Sequence, residues 1–361
     1  MSRDEAPLDA PRAGSAGGGH VRWGHALAEH LAGAAILGLV MLGSLLVGAV
    51  RIDPIAALRA PAESAAHVIL VSARLPRVVL GALVGGALGL SGAGLQALLQ
   101  NPLACPHVLG ISGGAALAGI LAMIAAPLLP LLAGGGVKLA LVVVPAAAFV
   151  GALGTAALVQ SVAGTSGRLT PHALILTGVV FNAFAAALIT FVNSLADFYQ
   201  AQGVLSWVIG NLTVRGNAWT GVVVATLVAG LLLLAGSARD LNALGLGEEG
   251  ALGLGVDVDR ARRRVYLGVA LLLAGAVPAS GMIGFVGLIV PHVVRIFVGS
   301  DQRRVLPASM WGGAAFLVLA DTIARTILAP TELPVGVITA LAGGPFFLVL
   351  LRRQSRLATV S

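Results

Sequence analysis

Residues 281–304 read GMIGFVGLIVPHVVRIFVGSDQRR. An apolar segment with four glycines carries Pro291-His292 in its middle and Arg295 just behind, then breaks into a polar, basic turn. Nothing in it has the make-up of a catalytic centre. It has that of a membrane helix that flexes, packs closely and delivers a charged loop to one side. Gly281, Gly284 and Gly287 are expected where a neighbouring helix approaches closely. Pro291 predicts a bend, and the carbonyl it frees needs a partner from a neighbour. His292 is expected as a local hydrogen-bond donor rather than a ligand.

The rest of the chain extends this reading. Of 361 residues, 58% are hydrophobic and only 10% charged. A soluble domain carries about 25% charged residues, so this chain lacks the polar surface to cover a globule of its size. Apolar runs of about 20 residues recur, each long enough to cross a hydrocarbon core of about 30 Å. The composition specifies an all-α polytopic membrane protein, and its 49 glycines suit close helix packing. A single cysteine, Cys105, excludes a disulfide framework and any multi-cysteine metal site. The net charge of +7 is carried by short loops between spans, so it is no nucleic-acid signal. His20, His25 and His30 do not share a helical face, and no metal site is expected there.

Residues 1–26 precede the first apolar run; the first 22 of them, rich in Gly, Ala and Pro, are expected to form a disordered tail. They carry no apolar stretch behind a basic start, so no cleavable signal is expected. One domain spans 27–353, with ten transmembrane helices at 27–49, 75–99, 112–132, 139–163, 173–194, 217–236, two within 265–298 bent near 278–284, 306–327 and 335–351. The piece 198–211 is too short to cross, and 354–361 forms a closing tail. With both termini cytoplasmic, fifteen of the 22 basic residues fall inside. The seven outside are Arg51, Arg59, Arg74, Arg77, Lys138, Arg215 and Arg325. Arg74, Arg77 and Arg325 oppose the bias at span ends, and such residues need a reason of their own.

Chemistry is sparse. There is no phosphate-binding GxxxxGK[ST] loop, no HExxH and no Ser/His/Asp set in plausible loops. Asp321 and Arg325, four apart, are expected to pair on one helical face. No unpaired mid-span carboxylate of the kind an ion-coupled carrier uses is visible. A self-contained membrane enzyme lacks its cluster. A receptor or channel without an energy source is the other alternative of a different class. If the chain moves something, a partner supplies the energy. The segment 237–264, with LGEEGALGLGVDVDRARRR at its heart, reads as a short helical hairpin projecting from the membrane, acids first and a basic turn last.

At this point three long motifs carry a resemblance. ARLPRVVLGALVGGALGLSGAGLQALLQNPLACPHVLGISGGAALA at 73–118, SGMIGFVGLIVPHVVRIFVGSDQRRVLPAS at 280–309 and LADTIARTILAPTELPVGVITALAGGPFF at 319–347 resemble, in order, the signatures of FecCD/BtuC-type ABC-transporter permeases. These are membrane subunits of importers for iron-siderophores, haem and cobalamin.

The resemblance implies a BtuC-like, type II ABC importer fold in a bacterial cytoplasmic membrane. It implies a homodimer, or a pair with a close paralogue, and two ATPase subunits that hold ATP and Mg while this chain binds no cofactor. It implies a periplasmic or lipid-anchored substrate-binding protein as a further partner, besides membrane lipids. Arg74, Arg77 and Arg325 match the arginines that receive acidic side chains of the binding protein. Gly247, Glu248, Glu249, Ala251, Leu254 and Gly255 match the segment that contacts the ATPase. Leu169, Thr170, Pro171 and His172 match the cytoplasmic gate, although the family often has small hydroxyl residues where Pro171-His172 stands. Asn182 either lines the path or bonds a neighbouring helix. Residues 281–304 then become a mechanical link, with Pro291 and His292 at its bend and one end near the coupling segment. An iron chelate is favoured over cobalamin from the breadth of the family rather than from any residue.

Overall fold

The computed structural model describes residues 18–48, 50, 52–125, 136–164, 168–212 and 217–358. Helix α1 spans Gly18–Leu46. Two short helices, α2 (Pro54–Arg59) and α3 (Ala65–His67), lead through a π-helical turn at Val68–Arg74 into α4, Leu75–Leu98. Then follow α5 (Ile111–Ala125), α6 (Gly136–Ala163), α7 (Pro171–Ser194), the short α8 (Phe198–Ile209) and α9 (Asn217–Gly236). Two short helices, α10 (Ala238–Leu244) and α11 (Glu248–Gly253), precede α12, Val258–Ser280. The chain closes with α13 (Val286–Val298), α14 (Gln302–Thr326) and α15 (Val335–Ala358).

Seven of these elements are long and apolar enough to cross a membrane. Helices α5 and α13 are apolar but shorter, and α12 opens on the basic turn DRARRR. With these three, the described residues hold ten helices in the places where ten spans are expected. Residues 1–17 of the expected tail lie outside the described residues, and α1 begins at Gly18, ahead of residue 27. At the other end α15 continues to Ala358, into the segment expected as a tail.

Local chemistry explains the element starts. Asp53 accepts from the N–H groups of Ile55 and Ala56 with Pro54 in the first turn. Asp197 and Gln200 close a reciprocal capping box on α8. The break expected near 278–284 falls at 281–285, because Gly281 (φ +69°) and Phe285 (φ +67°) adopt left-handed conformations there, while Pro278 stays inside α12.

The centre of the bundle is α4, in an apolar stretch 83% buried, against 6% for the stretch within α1. It packs on α14, α12 and α13. Small residues permit this: a Cβ on Gly85 would lie 2.3 Å from the Gly313 carbonyl oxygen, and one on Gly92 only 2.0 Å from that of Gly287. In lipid no hydrophobic drive separates one helix contact from another, so backbone proximity and dispersion decide which faces meet. Gly287 is one of the packing glycines expected from sequence. Gly284 departs from that reading: nothing lies within 4 Å of where its Cβ would be, and it borders a cavity of about 280 Å³ at the break.

Candidate functional site

Helices α4 and α14 each run from one polar end of the bundle to the other, and the residues singled out in the sequence sort onto those ends. At the first end, Asp321 is the hub. Arg77 donates to both its oxygens, through Nε at 3.1 Å to each and through Nη2 at 2.9 Å to Oδ1. The Nε of Arg325 lies 3.0 Å from Oδ2 of the same carboxylate, one helical turn on. Arg77 also reaches Glu332 at 2.6 Å. Arg325 further donates to the Ser44 hydroxyl at 2.8 Å. Arg74 binds the carbonyls of Leu45, at 2.8 Å, and Val50. These last contacts fasten the end of α1 to the cluster.

The Asp321–Arg325 pair expected from spacing is therefore present, with Arg77 as a second cation from α4. Burial makes it a matter of folding: Asp321 and Arg325 are 2% and 4% exposed. An ion pair this dry survives only when most of its hydrogen-bonding capacity is used. The cluster borders a cavity of about 190 Å³ lined by Gly48, Val50, Arg74, Arg77, Arg325 and Glu332. Its three arginines outnumber its two carboxylates, which leaves one positive charge over. Glu332 remains half exposed at the rim.

At the second end, α10 and α11 form a small knob. Its turns need left-handed backbone at Gly247 (φ +92°) and Gly255 (φ +78°), which accounts for both glycines. Glu248 is tied back to Arg262 of α12 at 2.9 Å, so it holds the knob in place, whereas Glu249 is exposed. Ala251 is fully buried beneath the knob and belongs to its packing rather than its surface. Three leucines point the other way: Leu246, Leu252 and Leu254 are 71%, 55% and 65% exposed. Leu246 and Leu252 stood unmarked in the sequence, because a leucine in a hydrophobic chain carries no signal by itself.

The knob is bolted to the turn that closes 281–304. Asn242 of α10 donates to the Asp301 carboxylate at 2.6 Å and accepts from the Gln302 N–H at 2.8 Å. Burial pushes the Asp301 carboxyl up, but the Asn242 amide, the Arg303 N–H and the charges of Arg303 and Arg304 outweigh it, and its pKa lies below the usual carboxylate range. Gln100, at the end of α4, binds the Leu244 carbonyl.

Close to the knob's end of α4 sits a residue that no sequence pattern marked. Pro291 leaves the Gly287 carbonyl without its helical donor. Gln96 of α4 supplies one, its Nε2 lying 3.2 Å from Gly287 O, 3.4 Å from Leu288 O and 3.3 Å from Ala104 O. Its Oε1 accepts from Arg295. His292 departs from the expected donor role: among the described residues it makes no hydrogen bond and meets Phe346 edge-on, ring centroids 5.6 Å apart.

The residues matched to a gate begin α7. Leu169 is buried, Thr170 caps the helix by accepting from the Ala173 N–H at 3.3 Å, Pro171 occupies the first turn and His172 is exposed. Asn182, one of two open readings, bonds a neighbour: it donates to the His107 carbonyl at 2.7 Å.

Among the described residues, ten helices around a glycine-packed centre, with a buried ionic hub at one end and a knob at the other, form the architecture of a polytopic membrane protein. The chain belongs to the FecCD transport family, which it matches over residues 36–353. It is 44% identical over 301 residues to the cobalamin import system permease protein BtuC of Halobacterium salinarum, covering 82% of this chain and 77% of that protein. It is 42% identical over 294 residues to the hemin transport system permease protein HmuU of Yersinia pestis, covering 79% and 84%. A solved metal-chelate type ABC transporter in an inward-facing conformation superposes with a TM-score of 0.76 at 29% identity, covering 90% of this chain and 98% of that one. The chain is thus the non-catalytic membrane subunit of an ABC importer, and the ATPase resides in a partner.

Proposed function

We propose that this permease, paired with a second copy or a close paralogue in the cytoplasmic membrane, imports a bulky iron chelate, a siderophore complex or haem. Two ATPase subunits holding ATP and Mg drive it from the knob's side, which in this reading is the cytoplasmic one. Cobalamin is the second reading, supported by the Halobacterium salinarum relative; the Yersinia pestis relative supports haem.

The observation that carries the ATPase assignment is the knob itself. Exposed Leu246, Leu252 and Leu254 outside the spans form an apolar surface that water does not favour. Gly247 and Gly255 shape it, Glu248 and Ala251 hold it, and Glu249 adds a charge at its rim. In this reading the binding protein docks its acids at the other end, on the excess positive charge of Arg74, Arg77 and Arg325, with Glu332 yielding Arg77 to the incoming carboxylate. Leu169, Thr170, Pro171 and His172 then start the helix that lines the gate, and the Asn182 bond to the 101–110 segment steadies it. Pro291 and His292 lie on the link that carries knob movement inward.

Co-purification tests this. After mild solubilisation the ATPase should travel with the wild-type chain and be lost from Leu252→Asp and from Glu249→Lys, neither of which disturbs the Glu248–Arg262 tie. Retention by both variants would remove the knob from the ATPase interface. Uptake into proteoliposomes of a ferric siderophore, haem and cobalamin, compared side by side, then decides the substrate.

A further inference from the structure

On the knob's side, where α13 ends, a second cavity of about 280 Å³ opens between α4, α10 and α13, bordered by Gln100, Asn101, Leu241, Arg295 and Gln302. Its lining contains one charge, Arg295, and no carboxylate. Among the described residues Arg295 has no ion pair, and its one hydrogen bond goes to the neutral Gln96 amide. The carboxylates on the neighbouring elements are engaged elsewhere: Asp301 with Asn242, Asp240 near Arg264 at 3.8 Å, Glu248 with Arg262. A partly buried guanidinium without a counter-ion is costly. Its planar fork matches a phosphate in two parallel hydrogen bonds.

Two further features narrow the ligand. Gln302 is 8% exposed, and its Oε1 is buried with no hydrogen-bond partner among the described residues. A phosphodiester offers it nothing, since both are acceptors; a hydroxyl on the same headgroup would donate to it. Immediately after Arg295, Ile296 and Phe297 are 70% and 79% exposed. Two large apolar side chains this exposed beside the cavity suit contact with acyl chains.

We propose that this cavity binds a phosphate group carrying a hydroxylated substituent, that of a phosphatidylglycerol-type lipid in the leaflet on the knob's side. The phosphate lies on Arg295, a headgroup hydroxyl on Gln302, and the chains along Ile296 and Phe297. A zwitterionic headgroup compensates its own phosphate and offers no such hydroxyl, so it binds less well. Basic pockets between membrane helices are recurrent sites for anionic headgroups. Because Leu241 of α10 shares the wall, an occupied cavity would brace the knob against α13. The inference stands apart from the importer reading, and its failure would leave that reading untouched.

The test uses the purified full chain, delipidated in detergent and titrated separately with phosphatidylglycerol, phosphatidylcholine and inorganic phosphate. Retained lipid is counted by native mass spectrometry and thermal stability is followed. The wild-type chain should retain phosphatidylglycerol about fivefold more tightly than phosphatidylcholine, as expected for one basic side chain at a membrane surface. Arg295→Met should abolish that preference and Gln302→Leu should reduce it. Stabilisation by inorganic phosphate that Arg295→Met removes would support the phosphate site with the free ion as its source. Equal retention of the two lipids by the wild-type chain, or an undiminished preference in Arg295→Met, overturns the proposal. Should Arg295→Met fail to fold, Arg295→Lys keeps the charge without the fork. A preference that survives unchanged in both Arg295→Lys and Gln302→Leu would equally overturn it.

Discussion

The two ends of this bundle use arginine in opposite ways. At one end the buried Asp321 carboxylate is shared between Arg77 and Arg325, and Arg74 beside them binds two partly buried backbone carbonyls. At the other, Arg260 and Arg304 pair across partly or fully exposed surface, with Asp257 at 3.5 Å and with Glu29. The first group has few alternative partners, because water is largely excluded. The second competes with solvent at every contact. Arg260 and Arg304 therefore serve topology mainly through their charge, whereas buried Arg262, which holds Glu248 at 2.9 Å, and the hub arginines must also find their geometry.

Breaking the hub should give the largest effect. Asp321→Ala leaves Arg77 and Arg325 without their shared carboxylate, and loss of one partner of a buried pair costs about 3–5 kcal/mol. The expected outcome is a chain that melts far below wild type in detergent or fails to accumulate. Wild-type melting would mean that water already reaches the hub, and the contrast between the ends would collapse.

A smaller loss is expected at the knob. Glu248→Gln weakens the tie to Arg262, but Glu248 is 44% exposed, and pairs with an exposed partner contribute about 0–1 kcal/mol. Melting should shift little, while hydrogen exchange across 244–256 should rise as the knob loosens. A melting shift as large as that of Asp321→Ala would show the knob to be as integral to the fold as the hub.

The smallest effect concerns pH. The Asp301 carboxyl has a lowered pKa in the folded chain, so its contribution is present above the unfolded value of about 3.9 and is lost as pH falls through the folded value. Acidification below about pH 4 should therefore weaken the Asn242–Asp301 joint in wild type. Asp301→Asn should flatten that part of the stability profile; an identical profile in the variant would detach the joint from Asp301.

Much of this was legible in the chain itself. Run lengths gave ten helices, and the i, i+4 spacing of Asp321 and Arg325 gave their pairing. Arg74, Arg77 and Arg325 stood out by opposing the charge bias. Other parts were hidden. That Pro291 frees a carbonyl is local chemistry, but that Gln96 meets it depends on a partner nearly two hundred positions away. Buried Gln96 looks like any polar residue near a span end. Ala251 and Leu252 look interchangeable until the fold buries one and exposes the other.

The sequence by itself determined the membrane class, the number of helices, the place of the knob and the residues that needed an explanation. These rest on composition, run length and spacings within one helix turn. Only the tertiary structure decided who meets whom. Asp321 holds two arginines rather than one, Gly92 lets the Gly287 backbone approach, and Arg295 faces a cavity without an acid. Each depends on which faces of separate helices come together. In a bilayer that choice is made by close packing and hydrogen bonding between side chains far apart in the chain, and no local pattern records it.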